Sequence, residues 1–342
     1  MKNGILFRIE IEAMKLIIQI PCYNEEGTIE NTIRDLPSTI PGIDQIEYLV
    51  VDDGSTDNTV KIAEQAGVHH VLKLGTNRGL AKAFSSGMIY ALSLGADILV
   101  NTDGDNQYCG ADIIKLVQPI IESKADIVVG CRPIMNHPEF NISKKILQVF
   151  GSWTLRLISK TKVRDAASGF RAFSREACQR LFIHSNFSYC METLIQAGNT
   201  GMCVSSVDIR INPKTRKSRL FKNIFQYIYK SSSSILSMFF LYRPGSFFFT
   251  FSQIFFAAAF FLGIRYIYLI YFTSSIDTSR TYLPSLILLV ILAVMGMLVL
   301  LLGLIGEQAQ AQRRLLEEII SNQRAQLHNN CKSDNKESET NE

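Results

Sequence analysis

The chain has 342 residues, of which 47% are hydrophobic and 19% charged; this excludes a mainly disordered protein and leaves room for one large domain or two smaller parts. A net charge of +4 is too small to imply a nucleic-acid partner, so the placement of the basic residues says more than their total. Seven cysteines, at 22, 109, 131, 178, 190, 203 and 331, form no C-x-x-C pair. An odd, scattered set suits free thiols in a reducing compartment better than a disulfide framework, which makes the sequons at Asn141 and Asn186 incidental.

Residues 1–13 alternate weakly before a second Met-Lys pair at Met14, and read as an upstream-start extension or an extra edge strand. No cleavable signal peptide is evident there. From Lys15 the pattern becomes regular. Apolar runs at Leu16 to Ile20, Tyr48 to Val51, Val68 to Leu74, Ile98 to Val100 and Ile127 to Val129 alternate with helical stretches. The helices are expected from Glu25 to Asp35, after Asp57, from Gly79 to Leu94 and from Asp112 to Glu122. Short buried strands alternating with helices predict an α/β domain with a mostly parallel central sheet. Ligands of such sheets sit at the carboxyl ends of the strands.

Four strand ends carry four polar clusters: Pro21 to Glu26, Asp52 to Ser55, Asn77 to Gly79, and Asp103 to Gln107. Caps and turns account for parts of any single cluster, Asp52 bonding local amides and Gly54 permitting a turn, but four at one sheet edge need another reason. In an extended chain leaving a sheet, alternate side chains point the same way, so Asp103, Asp105 and Gln107 would face one hard cation such as Mg2+ or Mn2+. Tyr23 offers a ring to stack on a nucleobase, and Asp53 an acceptor for a base N–H or a ribose hydroxyl. The chain has neither the G-x-x-x-x-G-K-[ST] loop nor the G-x-G-x-x-G turn, so a metal must carry the phosphate charge. That favours a nucleotide-sugar as the ligand.

Toward the C-terminus, Phe247 to Phe272 and Leu283 to Gly306 are each long and apolar enough to cross a bilayer core of roughly 30 Å. The short link between them predicts a hairpin. Lys214, Arg216, Lys217, Arg219, Lys222, Lys230 and Arg243 precede the first span and Arg313 and Arg314 follow the second, which places both flanks in the cytoplasm. Leu220, Phe221, Ile224, Phe225, Ile228 and Tyr229 recur at helical spacing and read as an amphipathic helix on the membrane surface, or packed on the soluble domain. After the second span a short helix is expected, then a disordered polar tail from Asn329.

The stretches IPCYNEE (20–26), VVDDGSTDNT (50–59), NRGLAKAF (77–84), DGDNQY (103–108), GCR (130–132), DAASGFRAFSREA (165–177) and YRPGSF (242–247) together resemble the family 2 glycosyltransferases of GT-A fold, and among them the polyprenyl-phosphate hexosyltransferases. The resemblance implies residues 14–215 as the catalytic domain, 216–243 as a membrane-interface segment, 244–306 as a two-helix hairpin and 307–342 as a cytoplasmic helix and tail. It implies an inverting, metal-dependent transfer of a hexose from a UDP- or GDP-linked donor to undecaprenyl or dolichyl phosphate, at the cytoplasmic face of the membrane. Pro21, Tyr23, Glu25, Asp52, Asp53 and Asp103 would hold the nucleotide-sugar, Asp103, Asp105 and Gln107 the metal, and Arg132 the phosphates.

Glu192 falls where relatives carry a carboxylate that orients the sugar or acts as base; a helix-surface salt bridge is the competing explanation. Ser143, Lys144, Lys214 and Arg216 would meet the acceptor phosphate, although Glu139 stands where many relatives have Arg, and Lys214 and Arg216 replace the Arg and Gly of the family's R-x-G-x-S-K-L. Two other functions fit the same residues: transfer to a membrane glycolipid or glycan, and a non-catalytic nucleotide-sugar-binding adaptor. A homo-oligomer is compatible with all three.

Overall fold

The computed structural model describes residues 13–133, 159, 161, 163–183, 189–213, 244–273 and 283–340. Residues 1–12, Ser143, Lys144, Lys214, Arg216 and the rest of the 216–243 segment therefore lie outside the described residues. The chain divides into two compact units, residues 1–235 with 318–342, and residues 236–317.

The first unit is built on a seven-stranded sheet in the order β3-β2-β1-β4-β6-β5-β7. Its strands are β1 (Lys15–Cys22), β2 (Gln45–Asp52), β3 (His70–Lys73), β4 (Ile98–Asn101), β5 (Ile127–Cys131), β6 (Arg171–Ser174) and β7 (Val204–Asp208). The pairs β1·β2, β1·β4, β2·β3 and β5·β7 are parallel, whereas β6 runs antiparallel to both neighbours. Leu16, Ile18 and Ile20 of β1 enter a core with Val50, Val100, Val128, Ile113 and Val117, while Ile17, on the opposite face, is equally buried. Burial on both faces is why these strands read as continuous apolar runs.

The helices are α1 (Ile29–Arg34), α2 (Thr59–Gln65), α3 (Leu80–Ser93), α4 (Ile113–Ile121), α5 (Arg175–Arg180) and α6 (Tyr189–Thr200). The first is shorter than the expected Glu25-to-Asp35 helix. Asn24, Glu25 and Glu26 spend their amides on Ser55, Thr59 and Asp57 of the next loop, so regular helix begins only at Ile29. The periodicity gave no sign of β6, a four-residue strand held between two partners from far earlier in the chain. Cys22, Cys109, Cys131, Cys178, Cys190 and Cys203 are free thiols.

In the second unit, α7 (Pro244–Tyr268) and most of the apolar part of α8 (Leu283–Thr340) pack as a pair. Both are long and apolar enough to cross a membrane, with mean hydropathies of 2.0 and 3.2. Gly296, Gly303 and Gly306 of α8 face Phe256, Phe248 and Pro244 of α7, small residues that let two apolar helices close on each other. Helix α8 continues through the tail that the sequence marks as disordered. Residues 318–342 belong to the first unit, where Arg324 donates to the carbonyls of Cys178 (3.2 Å) and Leu181 (2.6 Å) and lies 4.5 Å from the Phe182 ring centroid. A cation on the carbonyls that end α5 satisfies acceptors no helix can satisfy itself.

At the start of α4 the buried Asp112 takes the Arg210 amide (2.6 Å), the Arg210 guanidinium (2.8 Å) and the Lys115 ammonium (2.8 Å). Burial pushes the Asp112 carboxyl up, but its bonds from Arg210 and Lys115 prevail and hold it down at about 2. A carboxylate depressed below its unfolded pKa of about 3.9 stabilises the fold fully above that value and loses the contribution as pH falls toward the folded pKa. Asp112→Asn is expected to cost about 1–3 kcal/mol at pH 7, a range that allows for the exposure of Arg210. Thermal unfolding of the detergent-solubilised chain should show the gap from wild type narrowing progressively below pH 4, roughly the unfolded-state carboxylate pKa.

Candidate active site

Because β6 alone is reversed, the carboxyl ends of β1, β2, β4 and β5 and the amino end of β6 share one sheet edge. The loops after β1 and β2 build each other. Asn24, at φ 55°, donates its amide to Ser55 Oγ (3.0 Å) and accepts at Oδ1 from Thr56 N (2.8 Å), while Glu25 N donates to Thr59 Oγ1 (2.8 Å). Asp52 accepts from Ser55 N at 3.0 Å, the local-amide role that the turn alternative describes. Asp53, expected at the base or ribose, spends its two oxygens on the amides of Arg78 (2.7 Å) and Gly79 (2.8 Å), and so fixes the β3–α3 loop against the β2 end. A carboxylate keeps further lone pairs after two such bonds. Gly54, at φ 78°, lies where a Cβ would come within 2.8 Å of the Thr76 carbonyl carbon, so that approach requires glycine. Pro21 is buried in β1, whereas Tyr23 is 40% exposed at the rim, its ring accessible to a planar ligand.

Past β4 the chain turns instead of staying extended. Asn106 sits at φ 55°, so the alternation argument for Asp103, Asp105 and Gln107 does not describe the geometry. Thr28 and Thr32 of the α1 region donate to the Gly104 carbonyl at 2.8 and 3.2 Å and hold the turn from one side. Gln107 donates its side-chain amide to Asp105 Oδ2 at 2.8 Å, so it orients that carboxylate. Asp103 lies over Gly169, where an added Cβ would stand 3.1 Å from Asp103 Oδ1 and 2.8 Å from the Tyr189 hydroxyl. Burial, then the charges of Asp105 and Glu25, push the Asp103 carboxyl up to about 7 against the opposing pull of Arg132 and a hydrogen bond from Tyr108.

Arg132 stands at the end of β5 with a bidentate bond to the buried Asp165, at 2.7 and 3.0 Å. Burial works against its charge, but Tyr108, Asp165 and Asp103 outweigh it, so the guanidinium stays ionised. Beneath this layer, Asn101 donates to the Gly169 carbonyl (2.9 Å) and the Tyr189 hydroxyl (2.8 Å), and Tyr189 stacks on Phe84 at 4.0 Å. Glu192 follows three residues later on α6 and is fully buried, not a helix-surface residue.

Arg171 was not singled out from the sequence, although it stands in the SGFR stretch. It is fully buried and donates to the carbonyls of Ala166, Ser168 and Cys190 and to Thr193 Oγ1, at 2.7–2.8 Å, tying the Asp165–Gly169 loop to α6. Among the described residues no three His, Cys, Asp or Glu side chains converge as a metal cage.

A mixed sheet whose strand ends gather an acidic turn, an exposed aromatic and a fixed arginine is the GT-A arrangement. Glucosyl-3-phosphoglycerate synthase from Mycobacterium tuberculosis, solved with Mn2+, UDP and phosphoglyceric acid, shares this fold with a TM-score of 0.50 at 19% identity, covering 66% of this chain and 78% of that one. The chain belongs to glycosyl transferase family 2, whose sequence profile matches residues 17–182. The UDP-N-acetylglucosamine–dolichyl-phosphate N-acetylglucosaminyltransferase of Methanococcus voltae is 34% identical over 221 residues, 58% of this chain and 86% of that protein. The undecaprenyl-phosphate mannosyltransferase of Micrococcus luteus is 30% identical over 175 residues, 49% of this chain and 70% of that protein. The chain is accordingly a glycosyltransferase, and a purely binding adaptor is set aside.

Gly169→Ala tests the packing around Asp103. The new methyl must displace either the Tyr189 hydroxyl or the Asp103 carboxylate, since both lie inside ordinary contact distance. Overpacking of this kind costs about 1–3 kcal/mol of stability, whereas a reacting group misplaced by about 1 Å costs on the order of a hundredfold in rate. Sugar-transfer rate is expected to fall far more than the thermal midpoint does.

Proposed function

We propose that this glycosyltransferase moves one hexose from a nucleotide-sugar to a polyprenyl phosphate at the cytoplasmic face of a membrane, with inversion at the anomeric carbon. The observation that carries this reading is the half-buried Asp103–Asp105 turn beside Arg132, in a chain that continues into two membrane-length helices. Relatives that match most of their own length are named for transfer to dolichyl or undecaprenyl phosphate, which supports the acceptor class.

The residues fit a divalent cation. Desolvation, then the charge of Asp105, pushes Asp103 up to about 7, so the pair forms a centre that a cation would relieve, and Mg2+ or Mn2+ is commonly held by one or two carboxylates together with substrate phosphates. Asp103 and Asp105 would hold it, with Gln107 keeping Asp105 in place. When bound, the cation offsets charge developing on the departing nucleoside diphosphate.

The chain's own groups supply position. Tyr23 offers a stacking face for the base, and the Asp52 and Asp53 turns shape the pocket around the nucleoside. An oxygen of the acceptor phosphate bonds to the anomeric carbon while the bond to the donor's diphosphate oxygen breaks, the leaving oxygen taking the electron pair. The acceptor oxygen is already ionised at neutral pH, so no strong base is needed and orientation carries the rate. Arg132, braced by Asp165, presents a fixed cation beside the acidic turn, and the buried Glu192 orients the sugar. Lys214, Arg216, Ser143 and Lys144 remain the proposed contacts of the acceptor phosphate.

Membranes containing the chain, given a panel of labelled UDP- and GDP-sugars with undecaprenyl or dolichyl phosphate, should form an organic-extractable product that mild acid cleaves. Asp105→Ala or EDTA should reduce that product by at least about a hundredfold, as loss of a principal electrostatic group does. A product stable to mild acid would point to a glycolipid acceptor, and full yield with EDTA would remove the metal from the mechanism.

A further inference from the structure

We infer that Asn212 and Arg210, beyond the residues matched by the family profile, are positioning residues that set the affinity of the acidic turn for its cation. The inference rests on the metal role proposed for Asp105.

Three consecutive residues past β7 are each fastened to the segment that carries the acidic turn. Arg210 binds Asp112 through its amide and its guanidinium. Ile211 forms an antiparallel bridge with Tyr108. Asn212 donates its amide to the Gln107 carbonyl at 2.8 Å, and its side-chain nitrogen to the Tyr108 carbonyl (3.2 Å), Asn106 Oδ1 (3.4 Å) and Asp35 Oδ2 (3.5 Å).

The opposite side of the same segment is held by Thr28 and Thr32 on the Gly104 carbonyl and by Asp35 on Gly110 N at 2.7 Å. Between these two anchors sits Asn106 at φ 55°, a left-handed conformation that Asn adopts more readily than other non-glycine residues. The chain of contacts is then explicit: Asn212 fixes Asn106, Gln107 and Tyr108, Gln107 fixes the Asp105 carboxylate, and Tyr108 bonds Asp103. Asn212 touches neither carboxylate. Its effect on them passes through the turn, as partners that orient metal ligands commonly act, and loss of such a partner typically weakens metal binding by about 10–100-fold.

The test uses the detergent-purified full chain and Mn2+ as the probe, with UDP or GDP present, bound metal being read by electron paramagnetic resonance. Asn212→Ala should weaken Mn2+ binding by about tenfold with the thermal midpoint nearly unchanged. Asn212→Gln, which keeps a carboxamide, should recover most of the affinity, and Arg210→Gln should shift it in the same direction by a smaller factor. In sugar-transfer assays the defect should appear in the Mn2+ concentration for half-maximal rate, with kcat at saturating Mn2+ within about twofold of wild type.

Equal Mn2+ affinity in wild type and Asn212→Ala would overturn the inference, as would a loss of binding that merely tracks unfolding. Should Asn212→Ala fail to fold, Arg210→Gln decides on the same criteria. Wild type that binds Mn2+ but makes no lipid-linked sugar would overturn the acceptor assignment alone, leaving the inference to the affinity ratio. Wild type that binds no Mn2+ with either nucleotide would overturn both the metal role and the inference.

Discussion

The structure depends on keeping negative charge crowded at the end of β4. Asp103 is half-buried against Gly169 with Asp105 and Glu25 nearby, an arrangement that desolvation and repulsion both oppose. It persists because its surroundings are already determined: Arg132 is braced by Asp165, Tyr108 bonds Asp103, and the buried Asn101, Tyr189 and Arg171 fix the loop beneath. The reversal of β6 is part of the same arrangement, because it delivers the amino end of that strand, with Gly169, to the edge where the other six strands end.

Much of this was legible in the sequence, for a local reason. Buried parallel strands are apolar along their whole length, so the runs at Leu16, Tyr48, Ile98 and Ile127 announced a sheet and the polar residues after them announced its edge. What failed was the inference from spacing to side-chain direction. Alternate residues share a face only while the chain stays extended, and Asn106 breaks that condition between Asp105 and Gln107. Asp53 shows the converse: its residue type fitted ligand binding, but the loop it closes, at Arg78 and Gly79, is twenty-five residues away and has no local signal. The short strand β6, the buried Arg171 and the 210–212 strut were missed for the same reason, being defined by pairings between distant parts of the chain.

The C-terminal helix shows how composition alone misleads. Its tail is polar and charged, a pattern that argues for disorder when nothing packs on it. The helix nevertheless runs on to Thr340, and in the stretch ahead of that tail Arg324 and His328 are buried, the former on the carbonyls that end α5. The apolar helices make the opposite point. Phe249, Ile254, Phe260, Leu288 and Leu304 are exposed on helices of membrane-spanning length, a surface that water would not tolerate and that lipid would.

The proposed chemistry follows from what the site lacks as much as from what it holds. A hydroxyl acceptor would need a base poised near neutral pH, and the acidic group pushed toward that range among the described residues, Asp103, is also the group proposed to hold a cation. One carboxylate cannot serve as proton acceptor and cation ligand together. In the proposed reaction an acceptor that arrives already ionised would remove the conflict: the carboxylates would be left to a metal, Arg132 to the phosphates, and no proton would have to move in the step that breaks the donor bond. The proposed phosphate acceptor is thus tied to the placement of Asp103 over Gly169.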